Sequence, residues 1–85
     1  MIPQQLRPFF WDVDVETFRP EAHSEYTISR ILELGNSDAV AWMRTHFRDE
    51  AIIDVIRRDR RLSPRSANYW ALIYRIPTDD VAALR

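Results

Sequence analysis

The apolar residues of this chain recur at intervals of three and four positions, a spacing that places side chains on one face of an α-helix. The clearest example is the segment 48–58, where Ile52, Val55 and Ile56 share a face and charged residues occupy the other. Few segments show the alternation of period two that marks a half-buried strand. The pattern therefore predicts four main helices, which span 20–34, 37–47, 48–58 and 64–75.

The residues at the ends of these segments are those that begin and end helices. Serine, threonine and asparagine cap the first turn, proline suits its first position, and a left-handed glycine commonly follows the last turn. Gly35, the only glycine in the chain, is therefore predicted to end the first helix from the position just beyond it. The residues predicted to begin helices are Pro20, Asn36 or Ser37, Ser63 with Pro64, and Thr78, which would cap a last short helix reaching Leu84.

Residues 1–13 are predicted to form an extended arm. Pro3 and Pro8 disfavour helical conformation at the residues before them, and Asp14 is placed to cap a short turn over 15–18. The prediction for residues 1–85 is therefore a single all-α domain, a compact bundle of about four main helices with short helical pieces and this arm.

Three consecutive aromatic residues, Phe9, Phe10 and Trp11, lie in the arm and precede Asp12. Side chains alternate along an extended segment, so if Phe9 and Trp11 dock on the bundle, Phe10 faces elsewhere. One hypothesis is a lid that covers a groove between helices. The other is a binding hot spot, since tryptophan beside acidic residues is typical of protein interfaces.

Composition limits the classes of protein to which the chain can belong. Apolar residues make up 46% of it, enough to form a core, and the absence of cysteine excludes disulfides and cysteine-ligated zinc. No apolar run approaches the roughly 20 residues of a membrane-spanning helix, and the N-terminus lacks the pattern of a signal peptide. We therefore expect a soluble cytoplasmic protein that does not contact membranes.

Charge is distributed unevenly although the net charge is only −1. Residues 1–43 carry three arginines against seven acidic residues, a net of −4, and residues 44–85 carry nine against six, a net of +3. The chain contains no lysine, and six arginines between positions 57 and 75 are accompanied by a single acidic residue, Asp59. Codon bias accounts for arginine in place of lysine, but the planar guanidinium also suits carboxylates and phosphates. The clustering of the arginines needs a further explanation.

The segment 64–75 has two faces. Its predicted core stripe consists of Ala67, Trp70, Ile73 and Tyr74. Its opposite face consists of Arg65, Asn68, Leu72 and Arg75. A mixed face of this kind is either a solvated surface, the usual role of charged residues, or a surface for contact with another macromolecule.

Patterns for catalysis and metal binding are weak. Arg19 and His23 form an R-x-x-x-H pattern similar to a ribonuclease motif, but its spacing is short and polar partners are lacking. Neither His23 nor His46 has strong companion ligands at helical spacing, and one glycine cannot form a phosphate-binding loop. We therefore predict a protein that is not an enzyme and has no cofactor, metal or small-molecule substrate.

A helix-turn-helix is the alternative interpretation of the segments 49–58 and 64–75. The connection between them lacks the small or glycine-containing turn of that motif, and Tyr69, Trp70 and Tyr74 make the second helix rich in aromatic residues. DNA binding through a basic helix 64–75 remains the second hypothesis.

Two blocks of sequence, FFWDVD at 9–14 and RRLSPRSANYWALIYRIP at 60–77, together resemble a family of short bacterial proteins of uncharacterised function. That family combines an F-W-D motif, a helix that holds a histidine and ends at a glycine, and a closing R-x-L-S-x-x-T-A-N-F-W-A-L segment. Ser66 and Tyr69 replace the threonine and phenylalanine of the closing segment. The matching residues are Phe10, Trp11, Asp12, His23, Gly35, Arg60 or Arg61, Leu62, Ser63, Ala67, Asn68, Trp70, Ala71 and Leu72.

This resemblance implies an antitoxin-like partner of nucleotidyltransferase-type toxins from abortive-infection systems, a binding protein and not a catalyst. The arginine cluster suits the metal-binding, carboxylate-rich cleft of such an enzyme. The residues predicted to contact the partner protein are Trp11, Asp12, Arg57, Arg61, Arg65, Asn68, Leu72 and Arg75.

Overall fold

The computed structural model describes residues 3–14 and 16–85, apart from the side chain of Gln5. Its framework is four helices, α1 (Ser24–Leu34), α2 (Ser37–His46), α3 (Asp49–Arg58) and α4 (Pro64–Ile73). Short 3-10 helices occupy Gln4–Phe9, Thr78–Asp80 and Ala82–Leu84. The described residues contain no β-strand, so the all-α prediction is confirmed. None of the helices in this part of the chain is long and apolar enough to cross a membrane.

The core lies around α1, which contacts α2, α3, α4 and the 3-10 helix Gln4–Phe9. Burying one aliphatic side chain contributes about 1.5–3 kcal/mol relative to leaving it exposed. The stripes predicted for α1 and α3 are confirmed, because all six of their residues are buried: Ile28, Ile31, Leu32, Ile52, Val55 and Ile56.

The prediction of an extended arm is wrong over Gln4–Phe9, which forms a 3-10 helix. Pro3 supplies the extended residue before this helix, and the N–H of Leu6 donates to its carbonyl at 3.0 Å. The coiled backbone brings Leu6 and Phe10 inward together, and both are fully buried. Burial of these two side chains therefore overrides the local preference set by the prolines. The predicted positions Met1 and Ile2 lie outside the described residues.

Helix α1 begins at Ser24, four residues later than predicted. The N–H groups of Ala22 and His23 donate to the carbonyl of Arg19 at 3.1 and 3.3 Å, which makes this stretch a turn. The carbonyl of Pro20 accepts a bond from the hydroxyl of Thr27 at 3.2 Å. The side chain of Thr27 thus supplies a hydrogen bond to a backbone carbonyl that an α-helical N–H would otherwise occupy.

The predicted caps of the short turn, α2 and α4 are confirmed. The carboxylate of Asp14 accepts from the N–H of Glu16 at 3.0 Å, although Val15 of that turn is outside the described residues. The side chain of Asn36 accepts from the N–H of Ala39 at 3.0 Å. The hydroxyl of Ser63 accepts from the N–H of Ser66 at 3.2 Å, with proline next in sequence. The predicted last helix is instead two 3-10 helices separated by the buried Val81.

Gly35 ends α1 as predicted, but its conformation is not the predicted left-handed one. Its φ of −71° and ψ of 156° are open to any residue. Glycine is required by space: a Cβ would lie 2.6 Å from the carbonyl oxygen of Ile31 and 3.2 Å from the Cβ of Ala39. The missing side chain therefore allows α2 to start close against the last turn of α1.

Helix α4 is rotated relative to the predicted stripe. Ala67, Trp70 and Ala71 are buried, whereas Ile73, predicted to lie in the core, is 46% exposed. The indole N–H of Trp70 donates to the carbonyl of Leu32 at 2.9 Å, which fixes the rotation of α4 on α1. The apolar character of Ile73 therefore does not indicate burial.

Helix α4 ends two residues before the predicted Arg75, in a Schellman motif without glycine. The N–H of Arg75 donates to the carbonyl of Leu72 at 3.3 Å, and that of Ile76 donates to Ala71 at 2.8 Å. Arg75 has a φ of 56°, in the left-handed region that usually holds glycine. Ile76, the residue after Arg75, is buried in the core. Its burial stabilises the motif.

Candidate interaction surface

Two depressions that share Glu33 lie next to each other on the surface of the described residues. The first, the α2–α4 cleft, has a volume of about 880 Å³ and lies between the starts of α2 and α4. The second, the Trp11 depression, has a volume of about 240 Å³. The residues that line the cleft include Arg44, Ser63, Arg65, Ser66 and Tyr69, and those that line the Trp11 depression include Trp11, Tyr26, Arg30, Leu34 and Arg61.

Glu33 joins the end of α1 to the start of α4. Its carboxylate accepts from the N–H of Ser63 at 2.7 Å, from the hydroxyl of Ser63 at 2.9 Å and from the hydroxyl of Ser66 at 2.9 Å. Burial tends to raise the pKa of Glu33, but these three bonds outweigh it and hold the pKa below its ordinary value. The ionised carboxylate thus fixes the turn of α4 that carries Arg65.

Arg61 is held at its base and free at its tip. Its backbone N–H and its Nε donate to Asp59 Oδ1 at 2.9 and 3.1 Å, and the hydroxyl of Ser29 also donates to this carboxylate. Burial tends to raise the pKa of Asp59, yet these bonds from Ser29 and Arg61 lower it. The Asp59 side chain is only 8% exposed, whereas that of Arg61 is 69% exposed. The bonds from the backbone N–H and Nε therefore hold Arg61 in place, while its two terminal nitrogens are exposed to solvent.

The exposed face of α4 combines a cation with apolar side chains. Arg65 is exposed and makes no salt bridge with any described residue. Tyr69 and Leu72, one and two turns further along, are large exposed apolar residues. Across the cleft, the Nε of Arg44 donates to the hydroxyl of Tyr74 at 3.2 Å. Arg65 is therefore a cation of the cleft without an intramolecular ion pair.

Trp11 is exposed, but its ring contacts the guanidinium of Arg30. The guanidinium of Arg30 lies 4.7 Å from the centre of the Trp11 ring and 4.8 Å from that of Tyr26. Arg30 also donates to Asp12 at 2.7 Å and to the carbonyl of Phe9 at 3.3 Å. The bond from Arg30, then that from Tyr26, holds the pKa of Asp12 below its ordinary value. Trp11 as a whole is 69% exposed.

The orientation of the aromatic triplet resolves part of the lid hypothesis. Phe10 enters the core, with its ring centre 5.6 Å from that of Phe18 and 6.1 Å from that of Tyr26. Phe9 is half-buried and Trp11 faces solvent. The arrangement considered for an extended arm, with Phe9 and Trp11 docked and Phe10 turned away, does not occur, because the 3-10 helix Gln4–Phe9 and the turn after it do not alternate their side chains as a strand does.

The structure brings only part of the predicted contact set together. Trp11, Arg61 and Arg65 line the two adjacent depressions. Asp12 lines neither, but it pairs with Arg30, which contacts the Trp11 ring. The other predicted contact residues are exposed but line neither depression: Arg57, Asn68, Leu72 and Arg75. Arg75 is the left-handed residue of the Schellman motif beyond the end of α4, so it does not continue the face of that helix. The role of all eight residues in binding stays a prediction.

Sequence reasoning missed three residues of this surface, Tyr26, Arg30 and Glu33, although each carried a local signal. Tyr26 and Arg30 are four positions apart, the spacing at which helix side chains meet. Glu33 lies in the last turn of α1, where the helix dipole disfavours a negative charge. A charge in an unfavourable position indicates a compensating partner, but only the fold identifies it as Ser63 and Ser66.

The two histidines are packed against aromatic rings. The ring of His23 stacks on Phe18 at 5.3 Å, and that of His46 stacks on Trp42 at 4.2 Å. The Nδ1 of His46 lies 2.9 Å from the carbonyl of Trp42. Over residues 3–14 and 16–85, no group of three or more His, Cys, Asp or Glu residues is arranged to hold a metal ion.

The comparisons with known proteins identify a family but no characterised relative. No curated protein and no solved structure matches the chain. The model of a family of unknown function, DUF6922, matches residues 6–56. The match extends from the N-terminal 3-10 helix through α1 and α2 into α3, and it ends before α4. Because it covers more than half of the chain, this protein belongs to the DUF6922 family.

Proposed function

We propose that this protein acts by binding: it is a non-catalytic, antitoxin-like protein that binds and neutralises a partner enzyme of the nucleotidyltransferase type. The observation that carries the proposal is the surface that joins Arg65 and Tyr69, at the α2–α4 cleft, to Arg61 and Trp11 through Glu33. The resemblance of the FFWDVD and RRLSPRSANYWALIYRIP blocks to antitoxin-like proteins supports the nature of the partner.

The composition of this surface suits a protein partner. Tryptophan, tyrosine and arginine are the residues most enriched at the energetic centres of protein interfaces. Arg61 and Arg65 present guanidinium groups whose desolvation is favourable only against carboxylates or phosphates. A nucleotidyltransferase cleft, which binds its metal ions through carboxylates, supplies such groups. The proposed mechanism is occlusion of that cleft by the arginines of this surface.

The alternative of DNA binding has less support from the exposed face of α4. A helix that reads the major groove presents polar side chains to base edges along its outer face. Here the outer face of α4 places the exposed Tyr69, Leu72 and Ile73 beyond Arg65. This apolar surface is better suited to a protein partner.

The test is binding to the product of the neighbouring gene, which is a nucleotidyltransferase-type enzyme if this protein is an antitoxin, measured by titration calorimetry and gel filtration. Arg61→Gln with Arg65→Glu removes both cations, and glutamine at position 61 avoids a second carboxylate beside Asp59. The matched control is Arg19→Gln with Arg48→Glu, which changes charge equally at exposed positions outside both depressions. We expect the first pair to weaken binding by about 30-fold or more and the control pair to change it little.

An intact complex with the Arg61/Arg65 double variant would reject this surface. Equal weakening by the control pair would indicate a general effect of charge. No binding by the wild-type protein, together with a salt-sensitive shift of promoter DNA, would favour the alternative function.

A further inference from the structure

Trp11 is the most unusual exposed side chain near the proposed surface. A tryptophan is among the largest apolar groups that a protein can bury, yet Trp11 is 69% exposed directly beside the fully buried Phe10. Phe10 already fastens this part of the chain to the core. The exposure of Trp11 therefore needs a reason other than packing of its own segment.

Arg30, Tyr26 and Asp12 form a connected set of contacts next to Trp11. The guanidinium of Arg30 lies between the rings of Trp11 and Tyr26, at 4.7 and 4.8 Å from their centres. Asp12 accepts from Arg30 at 2.7 Å and from the hydroxyl of Tyr26 at 2.8 Å. The Arg30 side chain is only 16% exposed. The Trp11 ring thus packs against a mostly buried cation that is hydrogen-bonded to Phe9, Asp12 and Tyr26, while most of the Trp11 residue stays exposed to solvent.

An aromatic side chain held in this way loses little conformational freedom when a partner covers it. Ordering a free side chain at an interface costs affinity, and ordering it beforehand removes that cost. From this geometry we infer that Trp11 is a pre-ordered anchor that enters an apolar pocket of the protein partner, and that Arg30 is its positioning residue. This inference rests on the proposed function and specifies the part of the partner that is recognised.

The surroundings of Trp11 define the chemistry of the partner pocket. Leu34, which is exposed, lines the same depression and extends the apolar contact. Arg61 also lines it and directs a solvent-exposed guanidinium there, while Glu33 is already occupied by two serines. The matching site on the partner is therefore an apolar pocket with a carboxylate at its rim.

The test is a double-mutant cycle on binding to the product of the neighbouring gene, the partner that the proposed function requires, by titration calorimetry. We expect Trp11→Ala to weaken binding by about 30-fold or more, as for an interface hot spot, and Trp11→Phe to weaken it less. Arg30→Lys keeps the charge but loses the planar stack, so we expect a loss of about three- to tenfold. If Arg30 acts through Trp11, this loss disappears in the Trp11→Ala background.

Trp42→Ala is the control, because Trp42 lies on α2 and lines neither depression. Thermal unfolding of each variant verifies that it is folded. Nuclear magnetic resonance relaxation of the indole N–H of Trp11 in the free protein gives a second readout: rigid in the wild type and mobile in Arg30→Lys.

Each outcome decides a separate point. Equal affinities of Trp11→Ala and the wild type would overturn the anchor and leave the proposed function standing. A wild-type protein that does not bind the enzyme would overturn both. An Arg30→Lys loss that persists without Trp11, or a mobile indole in the wild type, would overturn the positioning role of Arg30.

Discussion

Glu33 shows at the scale of one residue how a charge that is unfavourable within its own helix is stabilised by a contact with another helix. It places a negative charge in the last turn of α1, where the exposed carbonyls of the helix repel it. The N–H of Ser63 and the hydroxyls of Ser63 and Ser66 compensate by donating to its carboxylate. The bond between α1 and α4 therefore depends on the ionised form of Glu33.

Replacing Glu33 with glutamine is expected to destabilise the protein at pH 7 by about 1–3 kcal/mol, the usual cost of losing bonds to a charged group. The pKa of Glu33 is lower in the folded chain than its ordinary value of 4.5. Its contribution is therefore fully present above the ordinary value and is lost as pH falls through the folded-state pKa. Urea denaturation should show that the difference between wild type and Glu33→Gln shrinks between pH 7 and pH 3.

Glu21→Gln is the matched control for this prediction, since Glu21 is exposed on the turn before α1. We expect it to have little effect at either pH. A Glu33→Gln difference that remains constant from pH 7 to pH 3 would contradict the stabilising role of the charge.

At the scale of one element, α4 shows how far capping rules reach. Ser63 and Pro64 determine its start, and the sequence alone predicts both. Its end is a Schellman motif in which Arg75, at a φ of 56°, occupies the position that usually holds glycine. Burial of Ile76 after the turn stabilises this conformation even though an arginine disfavours it.

Replacing Arg75 with glycine is expected to stabilise the protein by about 0.5–1 kcal/mol. Glycine adopts a positive φ without the steric cost of about 1–2 kcal/mol paid by other residues, and the greater freedom of the unfolded chain offsets part of this gain. Arg75→Ala keeps a Cβ and should have little effect. The midpoint temperature of thermal unfolding should therefore rise by a few degrees for Arg75→Gly and not for Arg75→Ala. A fall for Arg75→Gly would contradict the idea that the positive φ of Arg75 costs stability.

At the scale of the whole molecule, the N-terminal segment is part of the core and not an appendage. Leu6 and Phe10 are fully buried, and the 3-10 helix Gln4–Phe9, which carries Leu6 and directly precedes Phe10, contacts both α1 and α2. The family match begins at residue 6. The unit that the family shares therefore includes this segment.

Replacing Phe10 with alanine is expected to destabilise the protein by about 3–5 kcal/mol, because a cavity forms between Phe18 and Tyr26. That loss is a large part of the roughly 4–13 kcal/mol expected for a chain of this length. Urea denaturation followed by circular dichroism and tryptophan fluorescence measures it. Phe9→Ala, at the half-buried neighbour, should cost less, and an equal cost would contradict the inward orientation of Phe10.

The sequence identified several residues of the candidate surface, but it did not show how they lie relative to one another in space. The arginine cluster and the aromatic triplet identified Trp11, Arg61 and Arg65 before any fold was known. Their connection through Glu33, and the support of Trp11 by Arg30, join parts of the chain that lie far apart in sequence. Spacing within one helix carries no information about such contacts.

The sequence by itself determined the helical class, the cap Ser63, the choice of Asn36 or Ser37 as the cap of α2, and the buried stripes of α1 and α3. These features depend on hydrogen bonds and periodicity within one or two turns, so neighbouring residues suffice to specify them. The tertiary structure alone decided that Phe10 and not Trp11 enters the core, that α4 exposes Ile73, and that Gly35 is needed for space. Those outcomes depend on which distant side chains compete for the same interior volume, and close packing admits only one arrangement of them.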